Sequence, residues 1–524
     1  MSNEGKRRCL EAFTVALNQA CEGGEKRWYT STLELQLASM ECCRACRSVP
    51  ALHVRVEDST PRSLWSPLKS QVSSNMICSE AEASSRVPAV RAVRLTWALR
   101  VDELVHSTAV ELWVWLESLQ LTGSISAVGL QSVAWPKGLR RLMFGGGFDQ
   151  PVAEVAWPIS LRQLSFGSHF NHPIAGVVWP SSLRHIDFGP KFNQPIAGVE
   201  WPACLQQLSL PRDFNQSIVG AVWPACLHQL EFGKTFNQPI TGTVWPADLE
   251  ELAFGSNFNH PVTGTTWPCS MRKVAFGYGF NQPVAEVRWP ASLEELSFGS
   301  AFNQPIAEVA WPVSLRKLSF GFWFNQPIEG LAWPASLQHV FFDHNFDQAI
   351  AGVAWPESME GIQFGNYFNE PVSGVVWPAS LRKLSFGHCF DQPIAGVVWP
   401  ASLQHLSFGF WFNQPLVGVA WPASLQELSF GNFFNQPIVG VVWPASMRRL
   451  SFGAKFDQPI AGVVWPTSLQ QLSFGKRFNQ PILEVMWPSS LQQLGFGQGF
   501  NQPINNTRWP ASLLSVTRGG PSLL

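Results

Sequence analysis

The chain has 524 residues, a formal net charge of −1 and a pI near 6.8, a balance that offers no basic surface to a nucleic acid or an anionic membrane. Only 14% of the residues are charged, and no stretch reaches the roughly eighteen uninterrupted apolar residues of a membrane-spanning helix. The ten cysteines are too irregular for a disulfide framework, and Glu11 and Asn18 break the run that a secretory leader would need, so the chain reads as intracellular and cytoplasmic.

Residues 1–57 read as a small helical N-terminal region. Two short segments carry it, near Cys9–Cys21 and Ser31–Cys46, separated by Glu22-Gly23-Gly24. In the second, Leu33, Leu37, Met40 and Cys43 share one face at three- and four-residue spacing. Cys42, Cys43 and Cys46 with His53 form a partial metal-ligand spacing, but a second Cys-x-x-Cys is absent and reduced thiols on a helix are the simpler reading. Residues 58–88, rich in Ser, Pro and charge and without a period, read as a loop or linker.

From residue 89 to 134 the apolar spacing Val90-x-x-Val93-x-Leu95, then Leu116-x-x-Leu119-x-Leu121, anticipates Leu139-x-x-Leu142-x-Phe144. These are degenerate repeats leading into an array, as expected where a solenoid meets water or a cap. Residues 135–508 then hold seventeen 22-residue units, each opening on Trp-Pro, and residues 509–524 begin one more and form a tail. With Trp as position 1, the copy from Trp399 to Ala420 reads WPASLQHLSFGFWFNQPLVGVA. No insertion or deletion interrupts the register.

Within the unit, the segment from position 5 to position 10 is the predicted strand, with positions 8 and 10 inward and 7 and 9 outward. Glycine occupies position 11 in fifteen of seventeen units, the exceptions being Pro211 and Asp343. A glycine there implies either a positive φ or a close backbone approach. The prolines at positions 2 and 17 leave no room for a long helix. One rung cannot bury enough apolar surface to offset its own ordering, so stability must come from the array. Position 15 is Asn in thirteen units and Asp in four (Asp149, Asp347, Asp391, Asp457), which reads as an internal amide ladder satisfying backbone groups at turns.

The phrase L-x-x-L-x-F-G-x-x-F-N-Q-P-I, at Leu425 to Ile438 and again at Leu469 to Ile482, resembles the FNIP repeat, a relative of the leucine-rich repeats. The resemblance covers about three quarters of the chain. It implies a mainly β, leucine-rich-repeat-like solenoid with one short parallel strand per rung, right-handed and curved or gently twisted, commonly a platform for protein binding. Some members of the family carry an N-terminal F-box and act as substrate receptors of a ubiquitin ligase. Residues 31–56 share with an F-box only their predicted helicity, since the usual opening Leu-Pro is missing.

No catalytic constellation, phosphate-binding loop or dinucleotide fingerprint stands out, and no cofactor or metal is expected. Most histidines read as solvated variants, among them His344 and His388 in the turn after the strand. Positions 6 and 7 alternate in charge from Glu250-Glu251 through Arg272-Lys273 and Glu294-Glu295 to Arg316-Lys317, a pattern suited to ion pairs between stacked strands. Positions 12 and 13 carry Phe322, Trp323, Tyr367, Phe410, Trp411 and Phe433, where the frame needs no aromatic. Two readings stand side by side for these six: a partner-binding surface, or packing over the sheet edge and over one another. The expectation is a non-enzymatic protein-interaction scaffold, with a ubiquitin-ligase substrate receptor as the alternative. The tail after residue 517 raises self-association through a C-terminal strand edge as a further expectation.

Overall fold

The computed structural model describes residues 135–519 without interruption, residues 116–121, 130, 131 and 133, and the backbone of the strands Leu52–Val56 and Val93–Trp97. The segments expected to be helical near Cys9–Cys21 and Ser31–Cys46, the thiols Cys42, Cys43 and Cys46, and the linker at 58–88 lie outside the described residues. One correction concerns residues 52–56, assigned above to the helical region. They form a strand, because Leu52, Val54 and Val56 alternate with His53 and Arg55 at the period of a pleat. That strand pairs in parallel with Val93–Trp97, which pairs in turn with Leu116–Leu121.

The chain divides into two compact units, residues 1–233 and 234–524. In each, the described residues form a parallel β-solenoid. In the first unit, Leu116–Leu121 is followed by Arg141–Phe144, which pairs with it at an offset of 23 residues, and then by three-residue strands as far as Gln229–Glu231, each pairing in register with the one 22 residues before. In the second, the same arrangement runs from Glu251–Ala253 to Ser515–Arg518.

Each rung closes through three tight turns. In the rung opening at Trp399, Leu403 N–H donates to Pro400 O, Phe412 N–H to Gly409 O and Val419 N–H to Leu416 O, at 3.1–3.3 Å. Between these corners the apolar side chains fill the interior. Leu403, Leu406, Phe408, Phe412 and Leu416 are buried, with Trp399 beside them. Phe408 lies 4.1 Å from Phe412 within its rung and 5.7 Å from Phe430 in the next, while Phe412 stacks at 6.1 Å on Phe434. The tryptophans form a third column, Trp377 on Trp399 at 6.2 Å, and meet the position-10 phenylalanines edge-on.

The two glycines of the unit serve different purposes. At position 11 the strand comes so close to the previous rung that a Cβ on Gly299 would collide with the carbonyl oxygen of Gly277, so close approach decides this position. At position 20 the space is open but φ is positive, +79° at Gly418, as the third residue of a type II turn demands.

Polar side chains also run in ladders from rung to rung. Asn413 Oδ1 accepts the backbone N–H of Asn435 at 2.9 Å, and Gln436 Nε2 donates to both Asn413 O and Asn413 Oδ1. One rung earlier, Asp391 Oδ1 accepts from Asn413 N–H at 2.8 Å in the same way. The acceptor oxygen is what the ladder uses, which explains why Asn and Asp interchange at position 15. A second ladder was not anticipated: the position-4 serines donate to the position-5 carbonyl of the preceding rung, as Ser424 Oγ does to Leu403 O at 2.7 Å.

These contacts predict that Asn413→Asp leaves stability within about 0.5 kcal/mol, whereas Asn413→Ala costs about 0.5–1.5 kcal/mol by removing the acceptor of the Asn435 N–H and of Gln436. Urea unfolding of the full chain measures both.

Candidate interaction surfaces

The stacked strands of the second unit expose positions 7 and 9. From Lys383 to Thr517 they line a shallow groove of ≈ 640 Å³. Its floor carries the position-9 hydroxyls of Ser407, Ser429, Ser451 and Ser473. At its centre Glu427 takes His405 Nδ1 at 2.9 Å on one oxygen and Arg449 Nη1 at 2.8 Å on the other, across three adjacent strands. The expected charge ladder is looser. Arg272 lies 3.7 Å from Glu294 and Lys273 3.9 Å from Glu295, all partly exposed, so each pair contributes no more than about 1 kcal/mol.

The aromatic positions lie in the turn just after the strand. Its backbone is tied from rung to rung: Trp323 N–H donates to Ser300 O, Tyr367 N–H to His344 O and Trp411 N–H to His388 O, at 2.8–2.9 Å. The side chains on this support contact one another in a row. Phe322 meets Trp323 edge-on at 5.1 Å and stacks on His344 at 4.3 Å, and His344 meets Tyr367 at 4.8 Å. Asn366 then bridges the two histidines, its amide nitrogen 2.6 Å from His344 Nδ1 and its oxygen 3.1 Å from His388 Nδ1. Beyond them His388 approaches Phe410, Trp411 lies 4.0 Å from Phe433, and Lys455 Nζ sits 5.0 Å over the Phe433 ring.

All six aromatics chosen from the sequence therefore fall along one edge of the second unit. They do pack over one another, yet Trp323, Tyr367 and Trp411 remain 50%, 52% and 48% exposed. His344 and His388, read above as solvated variants, belong to the row, as do Asn366 and Lys455. The overlooked signal was a recurrence at 44 residues. Tyr278, Phe322, Asn366 and Phe410 occupy position 12 of alternate rungs, and Trp323, Tyr367 and Trp411 position 13. Another surface missed from the sequence is the run of exposed position-22 side chains that includes Val398, Val442, Val464 and Met486.

Among the described residues no group of three or more His, Cys, Asp or Glu side chains comes together as a metal site. None of their helices is long and apolar enough to cross a membrane. Cys389 lies in the aromatic row, and burial together with the charge of Asp347 pushes its thiol above the usual range.

A fold of stacked 22-residue rungs, each with one short parallel strand, defines a leucine-rich-repeat-like solenoid. The sequence profile of the FNIP Repeat matches residues 148–191, 170–211, 214–257, 280–322, 302–345, 390–433, 434–477 and 478–517, together more than half of the chain. The protein belongs to the FNIP repeat family. It is similar to CroV588, whose crystal structure is described as a novel circular LRR protein structure, with 35% identity over 80% of this chain and 68% of that one and a TM-score of 0.70. Weaker likenesses link it to an internalin, InlF, of Listeria monocytogenes, at 10% identity, 71% and 92% coverage and a TM-score of 0.33. A chain of the Toll–Spatzle complex of Drosophila matches at 12% identity, 85% and 63% coverage and a TM-score of 0.40. No curated protein matches the chain.

A raised thiol pKa leaves less thiolate at a given pH. Cys389 is therefore expected to alkylate more slowly at neutral pH than the exposed Cys204 and Cys269. Asp347→Asn is expected to speed the reaction, read peptide by peptide by mass spectrometry.

Proposed function

We propose that this protein is a non-enzymatic interaction scaffold that holds a protein partner along the strand face and adjoining turns of its second unit. The observation that carries the reading is the aromatic row, in which Trp323, Tyr367 and Trp411 are half exposed on a hydrogen-bonded backbone edge. Exposed Trp and Tyr on a rigid support lose little entropy on binding, and interface hot spots are rich in these residues. The groove around Glu427 adds paired charges and hydroxyls that can fix the orientation of a bound chain. Unpaired, exposed Cys204, Cys226 and Cys269 suit a reducing compartment, in keeping with a cytoplasmic setting.

Affinity capture from the native cell tests this reading. The full chain is expected to retain a protein partner that the double variant Trp323→Ser, Trp411→Ser loses, with thermal unfolding of the two chains the same. Capture that survives the double change would remove the aromatic edge from the function.

A further inference from the structure

Resting on the scaffold reading, we propose that the strand groove from Lys383 to Arg449 is a docking site for a partner segment that carries two acidic clusters separated by a short uncharged stretch.

The first argument is a segregation of charge that the near-neutral total conceals. In the six rungs opening at Trp245 to Trp355, the strand and the turn after it (positions 6 to 13) hold four basic and six acidic residues. In the six rungs opening at Trp377 to Trp487 the same positions hold seven basic residues and one acidic, Glu427. The earlier rungs neutralise themselves through neighbours such as Arg272 with Glu294 and Lys273 with Glu295. In the later ones Arg382, Lys383, Arg448, Lys476 and Arg477 are exposed and make no ion pair among the described residues. The other acidic groups of these rungs do not offset them. Asp391 and Asp457 are taken up in the position-15 ladder, where they accept the N–H groups of Asn413 and Asn479, and Glu484 stands at position 20, in a different turn.

The second argument is the order of the charges. Lys383, His405, Glu427 and Arg449 are direct neighbours on four successive parallel strands, with Arg382 and Arg448 next to the first and the last. Two basic pairs therefore flank an acidic centre, and both oxygens of that centre are already engaged, by His405 and Arg449. Three ladder steps of ~4.8 Å separate the basic pairs by ~14 Å, which an extended chain at ~3.4 Å per residue covers in about four residues. A nucleic acid carries a phosphate at every nucleotide and cannot omit the charge that falls on Glu427. A polypeptide can, because its acidic residues can stand at two places with neutral ones between, and like charges set against each other across an interface are costly. The interrupted charge pattern is what selects a polypeptide as the occupant.

The third argument is the floor. Between and beyond the basic pairs it presents the hydroxyls of Ser407, Ser429 and Ser451 and the amides of Gln471 and Gln493. Hydroxyls and amides both donate and accept, which suits a peptide backbone whose N–H and C=O groups alternate.

The test uses the full chain and a fluorescein-labelled synthetic peptide in which two Asp-Asp pairs are separated by four serines. Its comparators carry asparagine in place of every aspartate, or aspartate in place of every serine. By fluorescence anisotropy the interrupted peptide is expected to bind, more weakly as salt is raised, and the asparagine peptide is not. Arg382→Glu with Lys383→Glu, or Arg448→Glu alone, should weaken binding about tenfold or more with thermal unfolding unchanged. The all-aspartate peptide should bind the native chain no more tightly than the interrupted one despite its greater charge, and should gain affinity with Glu427→Gln. Tighter binding of the all-aspartate peptide to the native chain, or indifference to the charge reversals, overturns the proposal. So does a single-stranded oligonucleotide or an anionic phosphatidylserine vesicle that binds as tightly as the interrupted peptide. Failure of the peptide to bind, alongside a partner still captured through Trp323 and Trp411, would remove the acidic segment and leave the scaffold intact.

Discussion

Every structural position in the repeat lies against its own copy one rung away, and that translation is the constraint on which the rest depends. The strand at Glu427–Ser429 bonds to its equivalents on both sides, the Asn413 side-chain oxygen receives the backbone of the next rung, and Ser424 reaches back to the carbonyl of the last. Each of these bonds is made to the neighbouring rung, so its partner must arrive at the same place in every copy. This is why the period admits no insertion. A single added residue would displace the side-chain ladders, the backbone ladder and the phenylalanine columns together.

The same translation explains which letters are free. Gly299 is confined because a carbonyl lies where its Cβ would be, and Phe412 because its ring is sandwiched between those of adjacent rungs. Positions 7, 9, 12, 13 and 22 project from the stack and meet only solvent or each other. Among them the aromatic row follows a further rule. Identical bulky rings on adjacent rungs cover one another, as Trp377 and Trp399 do in the interior. Trp323 and Tyr367, with short residues at position 13 of the rung between them, stay half exposed, and Trp411 does so although Phe433 of the next rung lies 4.0 Å from it.

The interior tryptophans show how far the stack favours packing over polar satisfaction. The indole nitrogens of Trp157, Trp377 and Trp399 are buried without a hydrogen-bond acceptor in reach. Each ring instead meets a phenylalanine edge-on, as Trp399 does Phe386 at 6.4 Å, a contact in which the positive edge of one ring addresses the negative face of another. The loss recurs in many rungs and is outweighed by the apolar area that the tryptophan covers.

Periodicity alone determined the rung: its length, its short parallel strand, the inward leucines and phenylalanines, and the Asn/Asp ladder all follow from residues that must repeat because they touch their own copies. The same reasoning left the purpose of Gly299 open between two backbone causes, and only the distance between neighbouring rungs chose between them. Residues 52–56 escaped it, since a five-residue alternation is too short to outweigh the helical reading of the segment before it. The aromatic edge was half legible. Phe322, Trp323, Tyr367, Phe410, Trp411 and Phe433 stood out because the frame does not require them. That they share one row with His344, Asn366, His388 and Lys455, pack on one another and still face solvent was decided by the tertiary structure, because side-chain contact across rungs depends on where each turn aims its residues in space. The unrepeated letters carry no such information along the chain, and acquire it only when the ladder brings them side by side.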